Sequence, residues 1–286
     1  MATRLFEPTL RRDVTLLYTW CRHCDDLIDG QQLGQGAIKT ASSDMLEQLR
    51  GESLAAMAGS PSDELPYQAL ADLCRRHPLK QTMIEAHLHG FGLDVAGWQP
   101  KTLDETAQYC YHTAGTVGIM MATLMGVRDT TTLYRASDLG IAFQLTNIAR
   151  DVVEDAMAGR SYLPEDWRLA AGLYISDLAN RDRHEAVFPL VRRLVAEAEP
   201  YYRSAAIGLR ALPRRAAWAV ATARAVYRDI GRQIVQRGPD ALGERVFTGA
   251  TRKAWRVAAA LPDALARRRT HSAASRTELW TPPEIA

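Results

Sequence analysis

The 286-residue sequence has little excess charge, few cysteines and no long apolar run. Its 35 Lys and Arg residues nearly balance 33 Asp and Glu residues, which gives a formal net charge of +2. This balance and the lack of any RNA- or DNA-binding signature argue against a nucleic-acid-binding protein. No apolar run approaches the ~20 residues that a membrane-spanning helix needs. Four cysteines without a signal peptide are typical of a reducing cytoplasm. We therefore expect a cytoplasmic protein whose membrane contact is at most peripheral, at the inner membrane surface.

Strand-like alternation is also scarce, and helical periodicity dominates. Apolar spacing predicts an all-α fold, with helices over 41–58, 65–76, 80–95, 139–153, 186–210, 212–236 and 251–268. Gly126 is expected to end a further apolar helix that contains Val117. No flexible linker or internal repeat separates these blocks, so residues 1–266 are predicted to form a single domain. Residues 267–286, which are basic and then rich in Ser and Ala, are interpreted as a solvated, disordered tail. Contact of this tail with anionic lipid headgroups is the alternative.

The first informative motif is the acidic cluster Asp25-Asp26-Leu27-Ile28-Asp29. Steps of three and four residues place Asp25 and Asp29 on the same helical face as Tyr18 and Arg22. The second cluster runs from Gln144 to Asp155 and has the same spacing. The residues that share its face are Gln144, Asn147, Asp151 and Asp155.

Both clusters are set among apolar residues, and the carboxylates of the second, on a largely buried helix, are expected to line a cavity. Like charges at this spacing weaken a helix, and buried anions need a cation. Oxygen ligands without His or Cys favour Mg²⁺ or Mn²⁺, which bind together with substrate phosphates. Arg22 and Arg150 lie beside the clusters and favour a diphosphate site.

Other interpretations fit less well. Solvated acidic helix faces would explain one cluster more easily than two. A non-enzymatic helical interaction module would leave both clusters unexplained. A di-iron bundle would need Glu-x-x-His, which is absent from the sequence. The pair Cys21 and Cys24 has no second pair at zinc spacing.

Three segments of the chain resemble the squalene and phytoene synthase family. The segment from Tyr18 to Asp29 resembles the family's first aspartate-rich signature, and the segment from Gln144 to Pro164 resembles the second. The segment from Tyr109 to Gly118 is similar to the family's substrate-tunnel segment. The likeness is greatest to bacterial phytoene synthases of carotenoid pathways.

The resemblance implies an isoprenoid-synthase-like helical bundle around a central cavity. By position, it implies that magnesium is held by Asp25, Asp29, Asn147, Asp151 and Asp155. It implies substrate contacts from Tyr18, Arg22, Gln144, Arg150 and Tyr227. Tyr109 would border the reacting ends, so the implied catalytic set is Asp25, Asp29, Asp151, Asp155 and Tyr109.

The implied reaction is the head-to-head condensation of two geranylgeranyl diphosphates, through a cyclopropyl diphosphate intermediate, to phytoene. Magnesium or manganese would be the cofactor. No nicotinamide cofactor is expected, because Gly34-Gln35-Gly36 lacks the third glycine of a dinucleotide-binding loop. A squalene or dehydrosqualene synthase acting on farnesyl diphosphate is the alternative. Chain-elongating synthases and terpene cyclases fit less well, because Asp151-Val152-Val153-Glu154-Asp155 departs from their second motifs.

The start of the chain departs from the family pattern. Family members carry a Ser- and His-containing segment ending in Ser-Phe before the first helix, whereas this sequence begins Met1-Ala2-Thr3-Arg4-Leu5-Phe6. From this difference we expect a shortened N-terminal segment, with fewer hydrogen-bond donors for one diphosphate and weaker activity.

Overall fold

The computed structural model describes residues 5–28, 43–243, 276, 277, 279–282 and 284. In these residues every regular element is helical, which confirms the all-α prediction. The α-helices are α1 (Pro8–Ile28), α2 (Ser43–Met57), α3 (Leu65–Arg76), α4 (Gln81–Val95), α5 (Leu103–Cys110), α6 (Thr116–Leu124), α7 (Thr130–Met157), α8 (Glu165–Ala170), α9 (Ile175–Leu178), α10 (His184–Gly208) and α11 (Arg214–Arg237). A π-helix (Tyr111–Gly115) joins α5 to α6. Short 3₁₀-helices cover Arg181–Arg183, Leu209–Ala211 and Gly238–Leu242.

Helix α7 forms the centre of the bundle. Its residues Ile141, Ala142 and Leu145 are fully buried, and α10, α6, α11 and the π-helix all pack against it. The helix predicted over 139–153 is therefore the inner part of a longer element. The helix predicted over 251–268 lies outside the described residues.

The connection from α6 to α7 follows local chemistry. Gly126 has φ +92°, a conformation that favours glycine, and it ends α6 as predicted. Three residues later, Asp129 caps α7 by accepting a 2.8 Å hydrogen bond from the Thr132 amide. Burial of the apolar face of α7 and these caps together determine where the central helix begins.

Two glycines let the π-helix and α6 approach α7 backbone to backbone. A Cβ atom on Gly140 would lie 2.1 Å from the Ala114 carbonyl oxygen. A Cβ atom on Gly118 would lie 2.3 Å from the Ala136 carbonyl oxygen. Larger residues at either position would force the helices apart, so these glycines fix how the π-helix faces the interior.

The C-terminal residues differ from our prediction. Arg276 donates hydrogen bonds of 2.8 and 2.6 Å to the two carboxylate oxygens of Asp138, which is fully buried. The Trp280 amide donates to the Tyr201 hydroxyl at 3.1 Å, and its ring centroid lies 5.5 Å from that of Tyr111. For these residues the prediction of a solvated tail is wrong, because a buried acid on α7 needs the cation that Arg276 supplies.

No helix in the described part of the chain is both long enough and apolar enough to span a membrane.

Candidate active site

The two acidic clusters meet at one polar cavity with a volume of about 320 Å³. Asp25 reaches it from α1, and Asp151 and Asp155 reach it from α7. Asn147 and Gln144 line the same wall one and two turns before Asp151 on α7, and Tyr109 lines it from α5. Helical spacing placed Gln144, Asn147, Asp151 and Asp155 on one face of α7, and all four line the cavity.

Asp29 lies outside the described residues. Of the predicted substrate contacts, Gln144 lines the cavity, whereas Tyr18, Arg22, Arg150 and Tyr227 are not in its walls. Arg22 pairs with Asp26 at 2.6 Å. Arg150 donates to both oxygens of Asp151, at 2.7 and 2.5 Å, and so orients that carboxylate. Helical spacing predicts the side of a helix from which a side chain projects. It does not predict which of two adjacent acids an arginine on that helix contacts.

The two predicted tyrosines Tyr18 and Tyr227 belong to a neighbouring apolar region. Tyr18 lines an apolar cavity but is 66% exposed. Tyr227 stacks on Phe143 with a centroid separation of 4.2 Å, and Phe143 lines the same apolar cavity.

Asn147 has an incomplete set of hydrogen-bond partners. Its side-chain nitrogen Nδ2 donates to the side-chain oxygen Oε1 of Gln144 at 3.3 Å. Its buried oxygen Oδ1 has no hydrogen-bond partner. An orphaned buried acceptor is costly, and a bound cation or a ligand donor would satisfy it.

Asp155 carries a charge that the fold compensates poorly. Burial, and to a lesser extent the nearby charge of Asp151, raise the pKa of its carboxyl group to about 7. Arg160 lowers this pKa but does not cancel those effects. A cation in the cavity would favour the ionised form, so Asp155 and Asn147 both fit a metal bound through oxygen.

The described residues alone do not make a complete metal site. In the described ranges, no three His, Cys, Asp or Glu side chains converge as a group that could hold an ion. Mg²⁺ in enzymes is held by one or two carboxylates, water and substrate phosphates. The arrangement therefore matches an ion that binds together with its substrate.

An apolar cavity of about 440 Å³ adjoins the polar one. Asp25 and Thr113 line both cavities, so the two meet at these residues. Val117, Met121, Leu139 and other apolar side chains line the larger one. Ile119, Met120 and Leu124, which are equally apolar in sequence, are instead ordinary buried core. A polar cavity that adjoins an apolar one suits a ligand with a polar head group and an apolar chain.

A family model described as squalene/phytoene synthase matches residues 1–268. The chain belongs to the squalene/phytoene synthase family. It is 46% identical over 286 residues to the 15-cis-phytoene synthase of Pantoea ananas, covering 99% of this chain and 92% of that protein. It is 42% identical over 287 residues to the 15-cis-phytoene synthase of a Paracoccus strain, covering 100% of this chain and 93% of that protein.

The fold of this squalene/phytoene synthase family member also matches solved structures. A dehydrosqualene synthase crystallised with a ligand superposes with a TM-score of 0.79 at 26% identity, over 91% of this chain and 88% of that chain. The expectation of an isoprenoid-synthase-like bundle around a central cavity is therefore confirmed.

Sequence reasoning gave no role to three further residues that line the polar cavity of this family member. These are Asp94 at the end of α4, and Arg160 and Tyr162, which follow α7. Asp94 is a single acid outside any acidic run, so no periodic pattern marks it. Arg160 and Tyr162 lie inside the segment that resembles the second signature. That resemblance was the sequence feature that could have identified them as site residues.

Proposed function

We propose that this chain is a phytoene synthase, which joins two geranylgeranyl diphosphates head to head and releases both diphosphates. The observation that carries the proposal is the junction of the two cavities at Asp25 and Thr113. A polar chamber there adjoins an apolar tunnel, as a diphosphate on a prenyl chain requires. Relatives named 15-cis-phytoene synthase at 42% to 46% identity support this choice of substrate and product.

Magnesium, or manganese in its place, is proposed as the cofactor. The residues that would hold it are Asp25, Asn147, Asp151 and Asp155, together with Asp29 from outside the described residues. The orphaned Asn147 oxygen and the raised pKa of Asp155 support this assignment. When bound, the ion would neutralise negative charge on the diphosphate leaving group.

The chain's own residues have separate tasks in this proposal. Arg150 holds the Asp151 carboxylate in a fixed orientation through two hydrogen bonds. The apolar tunnel holds the prenyl chains and excludes water, because an allylic carbocation is destroyed by water. Departure of the first diphosphate gives the allylic carbocation, and attack by the second substrate's double bond with loss of a proton closes the cyclopropyl diphosphate. Departure of the second diphosphate, rearrangement and loss of a second proton then give phytoene.

A dehydrosqualene or squalene synthase is the second candidate. The structural match to a dehydrosqualene synthase supports it, since the two proteins share their fold over 91% of this chain. The two candidates differ in the length of prenyl chain that the tunnel accepts and, for squalene, in the need for a reductant.

The decisive experiment is incubation of the purified protein with geranylgeranyl or farnesyl diphosphate, with and without Mg²⁺ and NADPH, followed by chromatography of the products. Phytoene formed from geranylgeranyl diphosphate, abolished by EDTA and restored by Mg²⁺ without NADPH, is the expected result. Preferential use of farnesyl diphosphate would favour the second candidate. Undiminished turnover in EDTA would contradict the metal assignment.

Peripheral membrane contact is a further part of the proposal, because phytoene is a hydrocarbon that must leave for an apolar phase. Sedimentation with anionic and neutral lipid vesicles tests it. Recovery of the protein only in the supernatant with both vesicle types would contradict it.

A further inference from the structure

Asp94 joins three separate segments of the polar cavity. The Tyr109 hydroxyl on α5 donates to its two carboxylate oxygens at 3.0 and 3.1 Å. The Tyr162 hydroxyl, which follows α7, donates to the first of these oxygens at 2.7 Å. All three residues line the cavity that also contains Asp151 and Asp155.

The two tyrosines form an ordered aromatic unit. Their ring centroids lie 4.5 Å apart with an interplanar angle of 16°. Trp98 lies near-parallel to Tyr109, with centroids 6.1 Å apart and an angle of 21°. Because the face of Tyr109 is occupied by Tyr162, this pair and not Tyr109 alone forms the aromatic wall of the cavity.

The protons of both phenols remain in place at neutral pH. Burial raises the pKa of Tyr109 and of Tyr162 well above the usual range, and the adjacent Asp94 charge raises both further. Each hydroxyl therefore acts as a donor to the carboxylate. A hydrogen bond from a neutral donor to a charged acceptor is roughly twice as strong as a neutral pair. The donated bond also shifts electron density into the ring, which strengthens attraction between a ring face and a cation.

We propose that Asp94 is a positioning residue for the condensation reaction, which holds Tyr109 and Tyr162 as a fixed, electron-rich wall beside the diphosphate end of the tunnel. This inference rests on the proposed function for its chemistry, but its geometry can be tested without it. In the alternative role, Asp94 would bind the metal directly through its carboxylate, as is proposed for Asp151. The two roles differ in whether the effect of Asp94 passes through the phenol groups.

A mutant cycle separates these roles. The set is Asp94→Asn, Asp94→Leu, the double variant Tyr109→Phe/Tyr162→Phe, and Asp94→Leu in that double-variant background. The helical circular dichroism signal verifies that each variant is folded. If Asp94→Leu does not fold, the same comparison is made with Asp94→Asn, which disturbs the structure less. Asp104→Asn on exposed α5 surface and Tyr174→Phe are matched controls.

For a positioning role, kcat should fall about 10- to 100-fold in Asp94→Leu and less in Asp94→Asn, which keeps an acceptor. The KM for the diphosphate and the half-saturating Mg²⁺ concentration should change little. In the background that lacks both hydroxyls, Asp94→Leu should add less than about twofold, because the partners are already gone. Equal losses in both backgrounds, or a large rise in the Mg²⁺ requirement, would overturn the proposal in favour of direct metal binding. Full activity in Asp94→Leu would overturn it outright.

A second measurement does not depend on turnover. The free protein is labelled with 3-fluorotyrosine, and its ¹⁹F NMR resonances are assigned with the single Tyr109→Phe and Tyr162→Phe variants. Asp94→Asn should shift those two resonances, and Asp104→Asn should leave them in place. If the shifts occur but the wild type makes no prenyl product, the proposed function is wrong while the positioning geometry holds. Unmoved resonances would overturn the positioning geometry itself.

Discussion

Asp138 and Asp155 are two acids on the same helix, and the fold treats them in opposite ways. Asp138 is fully buried, yet Arg276 contacts both of its oxygens and the Ser204 hydroxyl donates to one of them. Asp155 lies among the acids of the polar cavity, where burial and Asp151 raise its pKa to about 7. The buried carboxylate of Asp138 is compensated by a cation and a hydrogen-bond donor of the protein itself. A charge left uncompensated inside a cavity indicates a ligand that brings the compensation.

The largest effect is expected on activity at Asp155. Asp155→Asn removes a charge-stabilising group from the cavity, so kcat/KM should fall about 10²- to 10³-fold. The free energy of unfolding should not fall, because the native carboxylate is a cost to the fold. Steady-state kinetics and urea denaturation measure the two quantities.

Glu154→Gln is the matched control for this variant, since Glu154 is exposed on the same helix. It should retain activity within about twofold, as surface substitutions do. A folded Asp155→Asn enzyme with full activity would show that Asp155 is not part of the machinery.

At Asp138 the effect should appear in stability instead. Arg276→Ala leaves a buried carboxylate without its cation, which should reduce the free energy of unfolding by about 3 kcal/mol. Arg192→Ala, at an exposed arginine of α10, is the control and should change it by less than about 0.5 kcal/mol. Equal midpoints of urea unfolding for the two variants would mean that the Arg276 contact adds nothing.

These two acids also show what could be read from the sequence. Gln144, Asn147, Asp151 and Asp155 were predicted to share a cavity because helical spacing is local and has a fixed period. The partnership of Asp138 with Arg276 joins residues 138 positions apart, and no periodic signal connects them.

The same limit applied within the site. Asp94, Tyr109 and Tyr162 come from three segments that only tertiary packing brings together. Tyr109 was predicted as a site residue through the family resemblance. Its acid partner Asp94 carried no motif, and the pairing of Arg22 with Asp26 depends on side-chain packing as well as on spacing.

The raised pKa of Asp155 predicts a pH-dependent stability in the absence of metal and substrate. Its native value of about 7 lies above the ordinary 3.8, so the native state binds more protons than the unfolded state between these values. Stability should therefore fall as pH rises through that window. Relative to wild type, Asp155→Asn should gain little near pH 4 and about 2 kcal/mol by pH 8, a figure reduced for partial exposure.

Urea denaturation of both proteins across this pH range, with EDTA present, measures the difference. Adding Mg²⁺ with inorganic diphosphate should narrow it, since a bound cation favours the ionised carboxylate. A difference that stays constant from pH 4 to pH 8 would contradict the assigned origin of the shift.

The smallest effect is expected at Ser204, which completes the compensation of Asp138. Its hydroxyl donates to the carboxylate and accepts a 3.1 Å hydrogen bond from Arg135. Ser204→Ala should lower the free energy of unfolding by about 1.5 kcal/mol, the low end for a hydrogen bond to a charged group. This is less than the loss at Arg276, because the carboxylate keeps its cation.

Asp138→Asn provides the background that tests this explanation. With the charge removed, the hydroxyl loses its charged acceptor, so Ser204→Ala should cost less than about 1 kcal/mol there. Urea midpoints of the four proteins in this cycle give the coupling between the two groups. If Ser204→Ala costs the same in both backgrounds, its stabilising partner is Arg135 rather than the carboxylate. The compensation of Asp138 would then rest on Arg276 without help from the hydroxyl.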